Sequence, residues 1–283
     1  MGKVVGKAIR VRTIWPWRML LWVSILIGAC VGLALWPEKL LIVGLRWLDS
    51  GICAHIPSHV FTLGGEMLPL CARDTGIYMG FCVSLIALFL TGRGQAQELP
   101  PLQVQLLLGS GVIALGIDGL NSLALDLHLP HIYQPSNLLR LATGLLAGLA
   151  LAAFALPTFN KLVWRHYYAS SSLASWRMIL WVFLPLLLTC FLATASQAPI
   201  LLYPLALLST SGLLMAVSSI NLMGIILARK RSETFTSSCQ LVPYLGLALL
   251  LAIGELILLA QLHTLLENLS APALATTMAF VFV

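Results

Sequence analysis

Residues 71–90 read CARDTGIYMGFCVSLIALFL. From Thr75 to Leu90 no side chain is charged, while the residues just before it supply a thiol, a guanidinium and a carboxylate. A helix crossing about 30 Å of hydrocarbon at about 1.5 Å per residue needs about 20 mainly apolar residues. This stretch therefore reads as a spanning helix with a polar head at one end. The pattern recurs in both directions. Downstream lie Leu102 to Leu120 with Asp118 near its end, Asn137 to Leu156 with Arg140 in its first turn, and Met178 to Thr194. Then come Leu201 to Leu227, where Pro204 predicts a tilt or kink, and Val242 to Leu262 with Glu255 inside. Upstream, Met19 to Trp36 reads as a retained signal-anchor helix, because no small-residue cleavage site follows it before Pro37. The expectation is an all-α, polytopic membrane bundle of about seven spans. The 283 residues are 59% hydrophobic and only 9% charged, against about a quarter charged in soluble domains, so lipid must be the solvent.

Charge placement orients the bundle. With the N-terminus inside, twelve of the 16 Lys and Arg residues fall on cytoplasmic segments, and only Lys39, Arg46, Arg73 and Arg140 do not. Short loops rich in Lys and Arg stay cytoplasmic, which puts the C-terminus outside. The net charge of +6 is then topological, and a nucleic-acid role loses its support. The chain divides into a basic cytoplasmic N-terminus (1–18), a four-helix unit (19–157) with an outer polar loop (50–74), and a basic cytoplasmic connector (158–177). Three further helices (178–262) and an apolar tail (263–283) follow. Within the first unit, Glu38 to Ser50 mixes Lys39, Arg46 and Asp49 with apolar residues, as an amphipathic segment lying in the interface would.

Glycine spacing predicts close packing. Gly28-x3-Gly32, Gly76-x3-Gly80 and Gly144-x3-Gly148 put small residues on one face of three spans, where helix backbones can approach in lipid. No convincing repeat relates the two halves, which argues against a transporter built from inverted repeats.

Ligand-type side chains gather at the expected outer face: Cys53, His55, His59, Cys71, Asp74, Asp126, His128, His131 and His263. Cys53-x-His55 in an extended segment and Cys71-x2-Asp74 at a helix start each turn two donors to one side. Thiolate, imidazole and carboxylate together suit zinc, with His59 as a spare ligand and room for water. A Cys53–Cys71 disulfide is the structural alternative, and Asp74 could serve simply as a helix N-cap. His128 and His131 read as interfacial loop residues. Cys30, Cys82, Cys190 and Cys239 lie in or beside apolar runs and read as packing residues. Asp118 and Arg140 end consecutive helices at the same face, so an ion pair is expected there, with an anion site as the sharper reading and Arg73 able to share either role. Glu255 has no evident cation at its depth; it is expected to be protonated or to bind one of these arginines.

Cys53-x3-Pro57-x3-Phe61, Leu68-Pro69-Leu70-Cys71-Ala72-Arg73-Asp74-Thr75-Gly76-Ile77-Tyr78, Asp118-Gly119 and Asn137-x2-Arg140-x2-Thr143-Gly144 resemble the membrane proteins grouped as domain of unknown function 2085. The resemblance covers about residues 50 to 150 and implies a metal-type or redox-type site. In that family a His follows the first Cys and a second Cys completes a Cys-x2-Cys pair; here those positions hold Ala54 and Asp74, which argues against a dithiol oxidoreductase. Three functions follow as expectations. The first is an extracytoplasmic zinc-type site at Cys53, His55, Cys71 and Asp74, with chemistry on a lipid-borne or interfacial substrate whose anionic group Arg73 and Arg140 would hold. The second is an accessory subunit that assembles with other membrane subunits, and the third a small-solute transporter using Asp118, Arg140 and Glu255. Membrane lipids are partners in each, and a bacterial or archaeal cell membrane is the expected location.

Overall fold

A computed structural model describes residues 38–53 and 55–281. The chain divides into two compact units, Met1–Leu41 and Ile42–Val283, and all packing below lies within the second. The expected first span and its Gly28-x3-Gly32 face lie outside the described residues. Helix α1 (Glu38–Asp49) leads into a loop holding a two-stranded hairpin, β1 (Thr62–Leu63) and β2 (Glu66–Met67). Then follow α2 (Ala72–Leu90), α3 (Leu102–Asp126), α4 (Asn137–Val163), α5 (Trp176–Ala195), α6 (Leu202–Ala228) and α7 (Ser238–Val281). The last six contain runs long and apolar enough to cross a membrane. In lipid every backbone polar group must be satisfied within the chain, which is why these runs are helical.

Helix α2 is the axis. Gly76 and Gly80 face Gly144 and Gly148 of α4 so closely that a Cβ on Gly76 would sit 2.5 Å from the Leu141 carbonyl oxygen, and one on Gly80 2.7 Å from that of Leu145. On another side of α2, Gly212 of α6 meets the backbone carbonyl of Tyr78. Two of the three glycine faces expected from the sequence thus pack against each other. Buried Leu68, Met79, Leu88, Leu141 and Leu149 fill the surrounding core. Helix α3, by contrast, turns Leu106, Ile113 and Leu120 outward, as a lipid-facing helix does.

Prolines explain where the helices depart from the expected limits. Helix α4 runs on through Pro157, which has no N–H to give the Ala153 carbonyl; the Ser172 hydroxyl donates to that carbonyl instead, at 2.7 Å. In α5 a five-residue π-turn (Ile179–Phe183) precedes Pro185 and widens the helix where the ring would meet the preceding turn. Pro204 lies in the first turn of α6, after a short 3₁₀ turn (Pro199–Leu201), where a missing N–H costs no helical bond. Helix α7 continues through the expected tail to Val281.

The helices alternate in direction, so the bundle has two polar ends. At the basic end three loops are stitched together. Asn160 donates to the carbonyls of Gly94 (2.9 Å) and Ala96 (2.8 Å), Gln97 to that of His166 (2.9 Å), and Trp164 pairs in parallel with Phe235. The other end carries the cysteines.

Candidate functional site

The site is built where α1 ends and α2 begins. The Cys53 amide donates to the Asp49 carbonyl (3.1 Å), which carries the last turn of α1 into the loop and places Cys53 among buried Leu70, Leu213 and Leu256. The chain then reverses through the hairpin, whose turn needs the left-handed backbone of Gly64 (φ 60°) and Gly65 (φ 87°). Arg46 holds the hairpin by donating to the Met67 carbonyl at 2.7 Å, and Asn137 holds the loop through the Ser58 carbonyl at 3.0 Å. This return brings Cys71 beside Cys53: the Cys71 amide donates to the Cys53 sulfur at 3.2 Å.

Cys71 caps α2. Its sulfur accepts from the Asp74 amide (3.5 Å), and its thiol donates to the Asp74 carboxylate (3.1 Å). Cys71 is thus the N-cap and Asp74 the third helical residue, not the cap proposed from sequence. The ligand atoms of Cys53, Cys71 and Asp74 all lie within 4.8 Å of one another, and both cysteines are free thiols. The close approach of Cys71 pulls the Cys53 thiol below its ordinary pKa, while the same approach and burial push Cys71 up.

The histidines are placed elsewhere. His55 has a left-handed backbone (φ 48°), and its Nε2 lies against the Pro69 carbonyl. Burial holds its pKa below the ordinary value. His59 Nε2 is 3.4 Å from Asp126, with its pKa lowered by burial and then by Arg140. Neither ring joins the group formed by the two sulfurs and Asp74.

A polar network adjoins the thiols. Asp118, buried in α3, accepts from Arg73 at 2.7 Å and from the Tyr133 hydroxyl at 2.9 Å. Arg140 donates to Ser122 (3.4 Å) and Asn137 (2.8 Å), and Arg73 reaches the same Ser122 hydroxyl at 3.1 Å. The pair expected between Asp118 and Arg140 is therefore corrected to Asp118 and Arg73. Arg140 is held instead by Ser122 of α3 and by Asn137 in its own first turn. Glu255 is likewise not bound by an arginine: it accepts from Asn221 of α6 at 3.0 Å.

Sequence reading missed Asp49. It falls in the segment expected from the sequence to lie in the interface, and α1 docks through buried Ile42 and Asp49. Asp49 Oδ2 accepts from the Thr210 hydroxyl at 2.6 Å, while Oδ1 has no hydrogen-bond partner among the described residues. Burial raises its pKa from 3.8 to about 7. Thr210 is 161 residues away, and no local pattern announces that contact. The i, i+4 placement of Asp49 and Cys53 was the available signal, and it was readable only if the helical turn was known to continue.

The geometry defines a polytopic membrane protein with a thiol–carboxylate cluster and an arginine–aspartate network at one end of its bundle. The family described as predicted membrane protein (DUF2085) matches residues 53–154, a stretch that contains the three clustered ligands and the whole arginine network. An uncharacterized protein of Methanocaldococcus jannaschii is 25% identical over 129 residues, 46% of this chain and 77% of that protein. An uncharacterized protein of Methanothermobacter thermautotrophicus is 35% identical over 102 residues, 36% of this chain and 81% of that protein. No solved structure matches. The chain belongs to the DUF2085 family and is a multi-pass protein of the cell membrane.

Proposed function

We propose that the protein binds a divalent metal of the zinc type through Cys53, Cys71 and Asp74 at the extracytoplasmic membrane face. The convergence of two sulfurs and a carboxylate, from segments 18 residues apart, carries this reading. Two thiolates and a carboxylate suit zinc better than magnesium or calcium, which take oxygen donors. Three protein ligands leave a coordination position open, and such a metal supplies an activated water at neutral pH. Arg140, which donates to the neutral Ser122 and Asn137, suits the anionic group of a lipid-borne or interfacial substrate, whereas Arg73 already carries Asp118. The placement of the cluster outside rests on the Lys and Arg distribution. Metal analysis of protein purified without chelator tests the binding. About one zinc per chain, lost in Cys71→Ala and in Asp74→Ala, is expected; metal-free protein with a Cys53–Cys71 disulfide would overturn it.

One observation favours a second reading, an accessory subunit of a membrane complex. Glu255 is exposed within a membrane-spanning helix, and its hydrogen bond to Asn221 lies on the outer surface of α6 and α7. A charge facing lipid is costly, and a partner helix would cover it. Native electrophoresis in mild detergent separates the cases: a solitary monomer counts against this reading. The transporter reading draws no support from Asp118, which is closed onto Arg73 and Tyr133.

A further inference from the structure

A cavity lies at the other end of the bundle. It has a volume of about 670 Å³ and opens between the last turns of α4 and α6, above the stitched loops of the basic end. That size is in the range of small-molecule sites, about 300–1,000 Å³. Its apolar lining includes Pro157, Leu162, Met223 and Leu227. Its mouth carries Lys161 and two acids, Glu98 and Glu233. Among the described residues Lys161 and Glu233 form no ion pair with each other or with any other group, although they share one cavity. Glu98 accepts from the Tyr167 hydroxyl at 2.8 Å on one oxygen, which fixes the carboxylate at the rim and leaves its second oxygen available.

The backbone that carries the two acids is fixed. The Glu233 amide donates to the Leu162 carbonyl (2.8 Å), and Glu233 takes a left-handed backbone (φ 56°) that a glutamate adopts only at a cost. Glu98 is tied by backbone bonds to Ser170 (3.0 Å) and from Ser172 (3.2 Å). This backbone stitching brings one ammonium and two carboxylates to the lining of one opening. An anionic ligand would meet the two acids, and a cationic one would meet Lys161. A ligand bearing both charges a few bonds apart satisfies all three.

We propose that this cavity binds a phospholipid with a zwitterionic primary-amine headgroup of the phosphoethanolamine kind. Its phosphate lies on Lys161, its ammonium donates to Glu98 and Glu233, and its hydrocarbon chain runs down the wall of Leu162, Met223 and Leu227. The cavity lies at the ends of two helices long and apolar enough to span a membrane. Both charged and apolar side chains line it, so a headgroup and its chain can each find a match. The site is independent of the thiol cluster at the opposite end.

Lipid competition read by native mass spectrometry tests this. Delipidated full-length protein is offered phosphatidylethanolamine, phosphatidylglycerol and phosphatidylcholine with identical chains. The wild type should retain phosphatidylethanolamine about tenfold over the other two, roughly the yield of one charge-assisted hydrogen bond. Phosphatidylcholine has no N–H to donate, so equal retention of it would overturn the proposal, as would a preference for phosphatidylglycerol. Lys161→Gln should weaken retention of all three. The double variant Glu98→Gln/Glu233→Gln should abolish the preference for phosphatidylethanolamine while still binding lipid. A preference unchanged in that variant would also overturn it. All three side chains are exposed, and the ratio of lipids within one preparation is independent of how much protein folds.

Discussion

Replacing Gly76 by alanine tests how the helix packing holds the site. A Cβ there would lie 2.5 Å from the Leu141 carbonyl oxygen, 2.9 Å from the Leu145 amide nitrogen and 3.0 Å from the Gly144 Cα. All three are backbone atoms, so no rotamer can move aside and the helices themselves must separate. Overpacking of this kind costs about 1–3 kcal/mol, and the better helix propensity of alanine returns about 1 kcal/mol. The expected net loss is thus up to about 2 kcal/mol. Gly76 lies two residues beyond Asp74, so separation at this point also displaces Cys71 and Asp74 from Cys53, and metal retention should fall together with stability. Gly109→Ala in α3 is the control, because nothing lies within 4 Å of its Cβ position. Thermal inactivation in a fixed detergent, followed by size-exclusion chromatography and metal content, provides the readout. The reasoning is refuted if Gly76→Ala matches the wild type in both, or if Gly109→Ala is the more damaging change.

Three further outcomes are expected. Asp118→Asn removes the charge paired with Arg73 in a buried setting and should destabilise by about 3–5 kcal/mol, against about 1 kcal/mol for Tyr133→Phe; equal effects in a detergent unfolding series would contradict the network. Asp49 favours its protonated form in the folded protein, since its pKa rises from 3.8 to about 7. Its contribution is full below about pH 4 and lost as pH climbs to about 7, a change of up to about 4 kcal/mol. Asp49→Asn should remove that dependence, and a parallel pH profile for the two proteins would argue against it. Ser172→Ala leaves the Ala153 carbonyl unmet beside Pro157 and should cost about 1–3 kcal/mol, whereas no change in thermal inactivation would mean that α4 tolerates the proline unaided.

The spans were legible because apolar length in lipid is a local property: Thr75 to Leu90 and Asn137 to Leu156 needed no partner to be recognised. The seam between α2 and α4 was legible too, since Gly76, Gly80, Gly144 and Gly148 write a contact into spacing alone. Helix ends were less so. Pro157 reads as a stop until Ser172 is known to stand in for the missing donor, and Asp126 ends α3 well beyond the apolar run. At the site, Cys71 and Asp74 were close by helical spacing, and Cys53 joined them because a short hairpin returns the chain. His55 shares the sequence neighbourhood of Cys53, but a left-handed turn sends its ring to the Pro69 carbonyl. Partner choice was the least legible feature. Consecutive helix ends favoured Arg140 for Asp118 over Arg73, which takes it, and the Asp49–Thr210 contact joins parts of the chain that no pattern links.

The metal-site proposal is tested most directly by X-ray absorption at the zinc edge on the purified, metal-loaded protein. The account predicts two sulfur neighbours at about 2.3 Å with oxygen or nitrogen completing the shell, and one sulfur in Cys53→Ser. A shell of oxygen and nitrogen alone, or a spectrum unchanged by Cys53→Ser, would contradict it.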